Sequence, residues 1–258
     1  MFSKRKMFQD ILANKRAYEF LLNALAVGEI DSAIGIDKLA NLISDPVLKR
    51  RTLRLYGDEI KHGRLFTRRL KDFGLEPQAM EKRLDYETFL HDQNFGLDNG
   101  RLEFDKPLND DEIVLWLAAC LIREERACIE LTGMKDCFET DKRTNEILTE
   151  IMTDEYHHVG YAMSGLQAYE KKGYGPRIRA LVTKYRRMEA KVHAQVSVNF
   201  TEEFFKLLNY PKWFFKLAVF GIWVSAFFRM LFPRPLVQES VVREKAPKEF
   251  LALEEAVA

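Results

Sequence analysis

Two short runs, 96 residues apart, carry one pattern. Asp58-Glu59-Ile60-Lys61-His62 and Asp154-Glu155-Tyr156-His157-His158 both read Asp-Glu-x-x-His. Upstream of each stands another glutamate in the pattern Glu-x-x-small-small-Ile: Glu29 with Ser32, Ala33 and Ile34, then Glu124 with Ala127, Cys128 and Ile129. The upstream glutamate precedes the motif glutamate by 30 residues in one half and 31 in the other. On a helix, positions i and i+3 share a face, so Glu59 with His62, and Glu155 with His158, can reach one point. All four glutamates fall in line with apolar residues: Glu29 with Leu22, Ala26 and Ile36, Glu59 with Leu55 and Phe66, Glu124 with Leu117 and Leu131, and Glu155 with Ile151 and Ala162. Four uncompensated carboxylates in a core would each cost several kcal/mol. Two divalent cations would balance them, and a Glu from each of two helices plus Glu-x-x-His from two others is a di-metal ligand set. Mixed carboxylate and imidazole donors suit iron or manganese, with zinc less distinctive.

The ligand set expected is therefore Glu29, Glu59, His62, Glu124, Glu155 and His158, and no catalytic side chain is expected beyond the metal centre. One Glu-x-x-His arises by chance; two, each with a matched upstream glutamate, do not. Glu125 rivals Glu124 and His157 rivals His158, and the repeat favours Glu124 and His158 without deciding the first pair. Asp58 and Asp154 are placed to accept the other ring N–H of a ligand histidine across the helix pairs. Tyr56 and Tyr161 lie one turn from the motifs, where a relay role competes with that of a core residue whose hydroxyl is satisfied. Cys120 and Cys128 bracket Glu124 and read as small core filler, and His91 and His193 read as structural.

These side chains need helices to hold them. Apolar residues recur at three and four, which predicts helices at about 15–44, 46–73, 109–133, 141–170 and 176–209. Asp45-Pro46 marks a stop and restart, and Asn109-Asp110-Asp111-Glu112 supplies an acidic helix start. No stretch alternates with period two for long enough to make a sheet, so the chain reads as all-α. The polar segment 74–108 has the length of a crossover from one end of a bundle to the other. The 258 residues suffice for a sizeable core. A net charge of +1 argues against a general nucleic-acid binder. Three cysteines without a CxxC exclude a zinc ribbon or a built-in rubredoxin-type centre, and a reducing cytosol is the simplest compartment. The basic start lacks the apolar stretch of a secretory signal.

At DEIKHGRLF, LIREERA and DEYHHVGY the sequence resembles the ferritin-like di-iron carboxylate superfamily, and within it the aldehyde-deformylating oxygenases. The run Glu124-Glu125-Arg126-Ala127-Cys128 is also similar to the tRNA hydroxylase branch. The resemblance covers residues 15–170. It implies a ferritin-like four-helix bundle with a long crossover between helices two and three, two irons and dioxygen activation. It further implies Glu29 and Glu124 as terminal ligands, Glu59 and Glu155 as bridging candidates, and one histidine on each iron. Electrons would come from a ferredoxin or reductase, since no flavin, nicotinamide or iron–sulfur motif is present.

Three segments are expected: a di-metal bundle over 1–175, a basic and aromatic helical extension over 176–235, and a loose charged tail over 236–258. Within the extension, Trp213–Phe232 is apolar and flanked by Lys212, Lys216, Arg229 and Arg234. It spans a bilayer only if Lys216 and Arg229 snorkel. Residues 200–232 are read as a monotopic segment at the cytoplasmic membrane surface. Packing on the bundle, a homodimer interface and a true span are the competing placements. The functional expectation is a di-iron oxygenase or oxidase, of the monooxygenase, desaturase or deformylase type, acting on a hydrophobic, lipid-like substrate. A ferroxidase or peroxide reductase of the rubrerythrin type is the alternative, and a tRNA hydroxylase comes next, with no nucleic acid expected as a partner.

Overall fold

The computed structural model describes residues 4–245, and their regular elements are all helical. Nine α-helices follow in order among them: α1 (Lys4–Ala13), α2 (Lys15–Leu42), α3 (Pro46–Lys71), α4 (Tyr86–Asp92), α5 (Asp110–Lys135), α6 (Lys142–Tyr169), α7 (Gly175–Leu207), α8 (Lys212–Leu231) and α9 (Glu239–Lys245). The five helices expected from periodicity begin and end within two residues of their reading. Local chemistry sets their starts. Asn14 accepts from the Ala17 amide, Asp45 from Leu48 with Pro46 next to it, and Asp141 from Thr144. Asn109 and Glu112 cap each other reciprocally at the start of α5.

Helices α2 and α3 form one hairpin and α5 and α6 a second, docked through α3 against α6. On α3 the buried line runs Leu55, Glu59, His62, Phe66, Leu70. On α6 it runs Leu148, Ile151, Glu155, His158, Ala162, Leu166. The candidate ligands are thus positions of the core stripe itself. Close approach is bought by two glycines: a Cβ on Gly63 would meet Ile30 Cγ1 at 2.7 Å, and one on Gly165 would meet Leu117 Cδ1 at 2.9 Å. At one end Asp141 joins three elements, accepting from the Tyr18 hydroxyl and from Arg69 Nη2 (2.9 Å) while capping α6.

The crossover is more structured than its polar composition suggested. It holds α4 and two 3-10 turns, Lys82–Leu84 and Asn99–Glu103, and buries Leu84, Leu90 and Phe95. Helix α7 packs on α5 and α4, so α5 is covered on a second side and is buried almost all round. A turn at Glu170–Tyr174, where Gly173 takes φ +97°, lets α6 pass into α7.

Arg229, one of the two charges whose snorkelling a span would require, pairs with the fully buried Glu189 of α7. One expectation for the C-terminal region is corrected. The tail is not loose over its first part, because α9 packs on α6 and buries Val242, and Val237 is buried just before it. The remainder, 246–258, lies outside the described residues.

Candidate metal centre

Six side chains converge where the two hairpins meet. Glu29, Glu59, His62 and Glu155 form one group, and Glu59, Glu124, Glu155 and His158 a second, with one donor atom from each residue of a group lying within 4.8 Å of the others. Glu59 and Glu155 belong to both groups; Glu29 and Glu124 belong to one each. The six residues expected from the sequence are therefore brought together, and the two glutamates shared between the groups are the motif glutamates.

The histidines are arranged reciprocally. His62 Nδ1 faces inward, 3.3 Å from Glu155 Oε1 and 3.8 Å from Glu29 Oε2. Its Nε2 lies 3.1 Å from Asp154 Oδ2, on the other hairpin. His158 Nδ1 lies 3.4 Å from Glu59 Oε1 and 3.6 Å from Glu124 Oε2. Its Nε2 lies 3.4 Å from Asp58 Oδ2, again across the interface. Each Asp-Glu-x-x-His motif thus directs its glutamate and histidine inward and its aspartate to the partner motif's histidine. Asp154 is further held by Lys61. A carboxylate on Nε2 fixes the ring and leaves Nδ1 for the centre.

These inward atoms test whether a cation fits. His62 Nδ1, His158 Nδ1 and Glu155 Oε2 are buried and have no hydrogen-bond partner. They lie close to carboxylate oxygens but are not aligned with them, as donors aimed at shared points between them would be. Buried polar atoms without partners cost on the order of 1–3 kcal/mol each, and a bound cation would satisfy all three. The protein's own charges point the same way. Burial, with Glu29, Glu155 and Glu124 close by, pushes the Glu59 carboxyl well above the usual range. Burial opposes protonation of His62, but Asp154, Glu155 and Glu29 outweigh it and push the imidazole up to about 12. His158 is likewise raised, with Asp58, Glu124 and Glu155 overcoming burial. Protons and cations compete for one concentration of negative charge. Metal could be held here; the donor set alone does not separate iron from manganese.

No family model, curated protein or solved structure matches the chain. The reading of this centre therefore rests on its own geometry.

The rivals fall elsewhere. Glu125 points away from the cluster, paired with Arg186 at 2.8 Å and accepting from the Leu236 amide at 3.1 Å. His157 lines a small crevice with Arg51, Arg54 and Asp58 on the outer side of α3 and α6. Tyr161 is buried, its hydroxyl 3.0 Å from Thr52 Oγ1. Tyr56 is half-buried and packs on the core. Cys120 lies closer to the chemistry than core filler, with Sγ 3.7 Å from Glu124 Oε1, while Cys128 is buried in the core. His193 bonds Glu130 at 3.1 Å.

A cavity of about 440 Å³ reaches the cluster. Glu29, Glu59, Glu124 and Glu155 line its inner end, Leu25, Val27 and Ala127 its helical walls, Met80 and Leu84 of the crossover its cover, and Phe200 its α7 side. Arg123, between α5 and the crossover, also lines it and pairs with Glu87 at 2.8 Å. The cavity and Arg123 were not foreseen: both depend on where the crossover folds back, which no local pattern encodes.

Proposed function

We propose that the protein is a ferritin-like di-iron oxidoreductase that activates dioxygen to oxidise a hydrophobic, lipid-like substrate. The observation that carries this reading is the pair of overlapping Glu/His groups with inward donors lacking partners, at the end of a largely apolar cavity. Glu29, Glu59 and His62 with Glu155 would hold one metal, and Glu124, His158 and the two shared glutamates the other. A bound redox metal pair would supply the oxidising chemistry. The chain's own contribution is positional. Asp58 and Asp154 orient the imidazoles, Glu59 and Glu155 would be shared by the two positions, and the cavity beside them leaves room for an organic substrate.

That room favours substrate oxidation over simple ferroxidase or peroxide chemistry, which needs no 440 Å³ chamber. Electrons would come from a ferredoxin or reductase. The test is metal content after anaerobic iron loading, beside a Glu59→Ala/His62→Ala double variant, followed by oxygen consumption with aldehydes, quinones and membrane lipids. Two irons in the wild type, clearly fewer in the variant, and substrate-dependent oxygen uptake are expected. Failure to hold metal would overturn the reading. Rapid Fe(II) or peroxide turnover with no response to any organic compound would replace it with the ferroxidase alternative.

A further inference from the structure

Helix α8 is predominantly apolar, its charges being Lys212 and Lys216, exposed near its start, and Arg229 near its end, yet little of it is buried. Trp213, Leu217, Phe220, Val224, Phe227 and Leu231 are all exposed, Phe220 at 69%. Their spacing of four, three, four, three, four places them on one continuous stripe of the helix. An exposed apolar face of this length marks a surface that is covered in use.

The opposite face of α8 fixes its orientation. The Phe215 ring lies 5.8 Å from that of Phe205, Arg229 pairs with Glu189, and Arg187 Nε donates to the Met230 carbonyl at 3.1 Å. Each step forward along α8 matches a step back along α7, so the two helices run antiparallel over the whole of α8. Helix α7 is in turn fastened to α5, through Glu189 with Arg126 at 2.7 Å and Arg186 with Glu125 at 2.8 Å. A bilayer-spanning α8 would carry Lys184, Lys191, Glu202 and Lys206 of α7 into hydrocarbon with it. A helix lying in the plane of the surface would not.

Charge selects the occupant. Residues 175–235 contain eleven Lys and Arg against three acids, in a chain whose net charge is +1. Of those acids, Glu189 is buried between Arg126 and Arg229, and Glu202 and Glu203 are paired with Arg83 and Lys206. Arg177 and Arg186 pair with Asp111 and Glu125 of α5, so the excess is carried by the remaining Lys and Arg. Arg179, Lys184 and Arg187 line a shallow groove on α7, and Arg234 stands beside exposed Phe232 at the end of α8. A second copy of the chain would set this excess positive charge against itself. An anionic lipid surface would neutralise it.

We propose that the α7–α8 hairpin is a monotopic docking surface for an anionic bilayer, with α8 lying in the membrane plane and its stripe among the acyl chains. This stands independently of the metal centre. It has a consequence for the centre nonetheless: Phe200, which walls the cavity, belongs to the helix on which the lipid-facing α8 packs.

The test is co-sedimentation of the full chain with phosphatidylcholine vesicles, with and without phosphatidylglycerol. A Phe220→Ser/Phe227→Ser variant changes two exposed residues, with helical content by circular dichroism and the melting temperature as controls on folding. Strong partitioning onto the phosphatidylglycerol vesicles is expected, weakened by salt and reduced by about tenfold or more in the variant. Spin labels at positions 217, 220, 224 and 231, in a Cys137→Ser background, are expected at one common shallow depth. Absence of vesicle binding would overturn the proposal, as would labels deepest at the middle of the helix, which mean a span. A stable dimer that buries the stripe and excludes vesicles would overturn it in favour of a second copy.

Discussion

The two hairpins carry the same ligand pattern in different surroundings. In the second, Glu124 is enclosed: its side chain is 7% exposed, Cys120 lies against it, and Arg123 precedes it. Burial is outweighed there by His158 and Arg123, and its carboxyl is held below the usual range. In the first, Glu29 is 17% exposed, and the positions matching Cys120 and Arg123 are Leu25 and Gly28, both lining the cavity. A Cβ on Gly28 would meet nothing within 4 Å. The repeat therefore specifies donors and little else. Both halves reach the cavity, the second through Arg123, Glu124 and Ala127, but its glutamate is the more tightly packed of the two. The donor sets are close to symmetric and their packing is not.

The largest expected effect separates shared from single ligands. Glu59→Gln or Glu155→Gln is expected to lose both metals, whereas Glu29→Gln or Glu124→Gln loses one, as read by metal analysis after loading. In the absence of metal Glu59→Gln should melt at or slightly above the wild type, because burial and the neighbouring carboxylates already favour the neutral form of Glu59. Glu155→Gln should melt lower, because it removes a carboxylate that faces both imidazoles. A clearly lower melting temperature for Glu59→Gln would mean that this residue serves packing, and equal metal losses from all four variants would erase the distinction.

Smaller effects come from the crossed aspartates. Asp154→Asn and Asp58→Asn are each expected to weaken metal binding about 10–100-fold while keeping both positions fillable. Asp154→Asn should be the more severe, since its contact is the shorter and it also holds Lys61. Competition titration against a chelator measures both, and unchanged affinity would remove the aspartates from the centre.

The smallest, per unit of change, is the dependence on pH. With His62 raised to about 12 and His158 raised as well, the protein's own charges favour a proton on both rings when no metal is bound. A cation must displace those protons, so affinity should rise about tenfold per pH unit for each proton released. An indicator dye in weak buffer would record the release between pH 6 and 8. The sign for the metal-free fold is opposite. The raised His62 value contributes stability that is full below the unfolded value of 6.5 and is lost as pH rises through about 12.

What could be read in the sequence follows from this division. The ligand pattern is local to each helix pair, so period, caps and repeat place Glu29, Glu59, His62, Glu124, Glu155 and His158 without knowledge of the rest. The repeat favours Glu124 over Glu125 without deciding, because the partner that turns Glu125 away, Arg186, is contributed by a helix that carries no repeat. The buried Glu189, held by Arg126 and Arg229, was invisible for the same reason. The crossover's polar composition hid α4 and the cover of the cavity, and the charged tail hid Val242. Long-range pairings made by segments outside the repeat are what periodicity does not encode.

The crossed links between Asp154 and His62 and between Asp58 and His158 also bear on the order of assembly. Neither hairpin orients its own histidine, and neither contains a complete ligand group. A hairpin that forms early has nowhere to hold a cation firmly, so the centre matures only after the two pairs dock. Capture of a metal would then be the closing event of folding, and the cation a latch that the finished core alone could fasten.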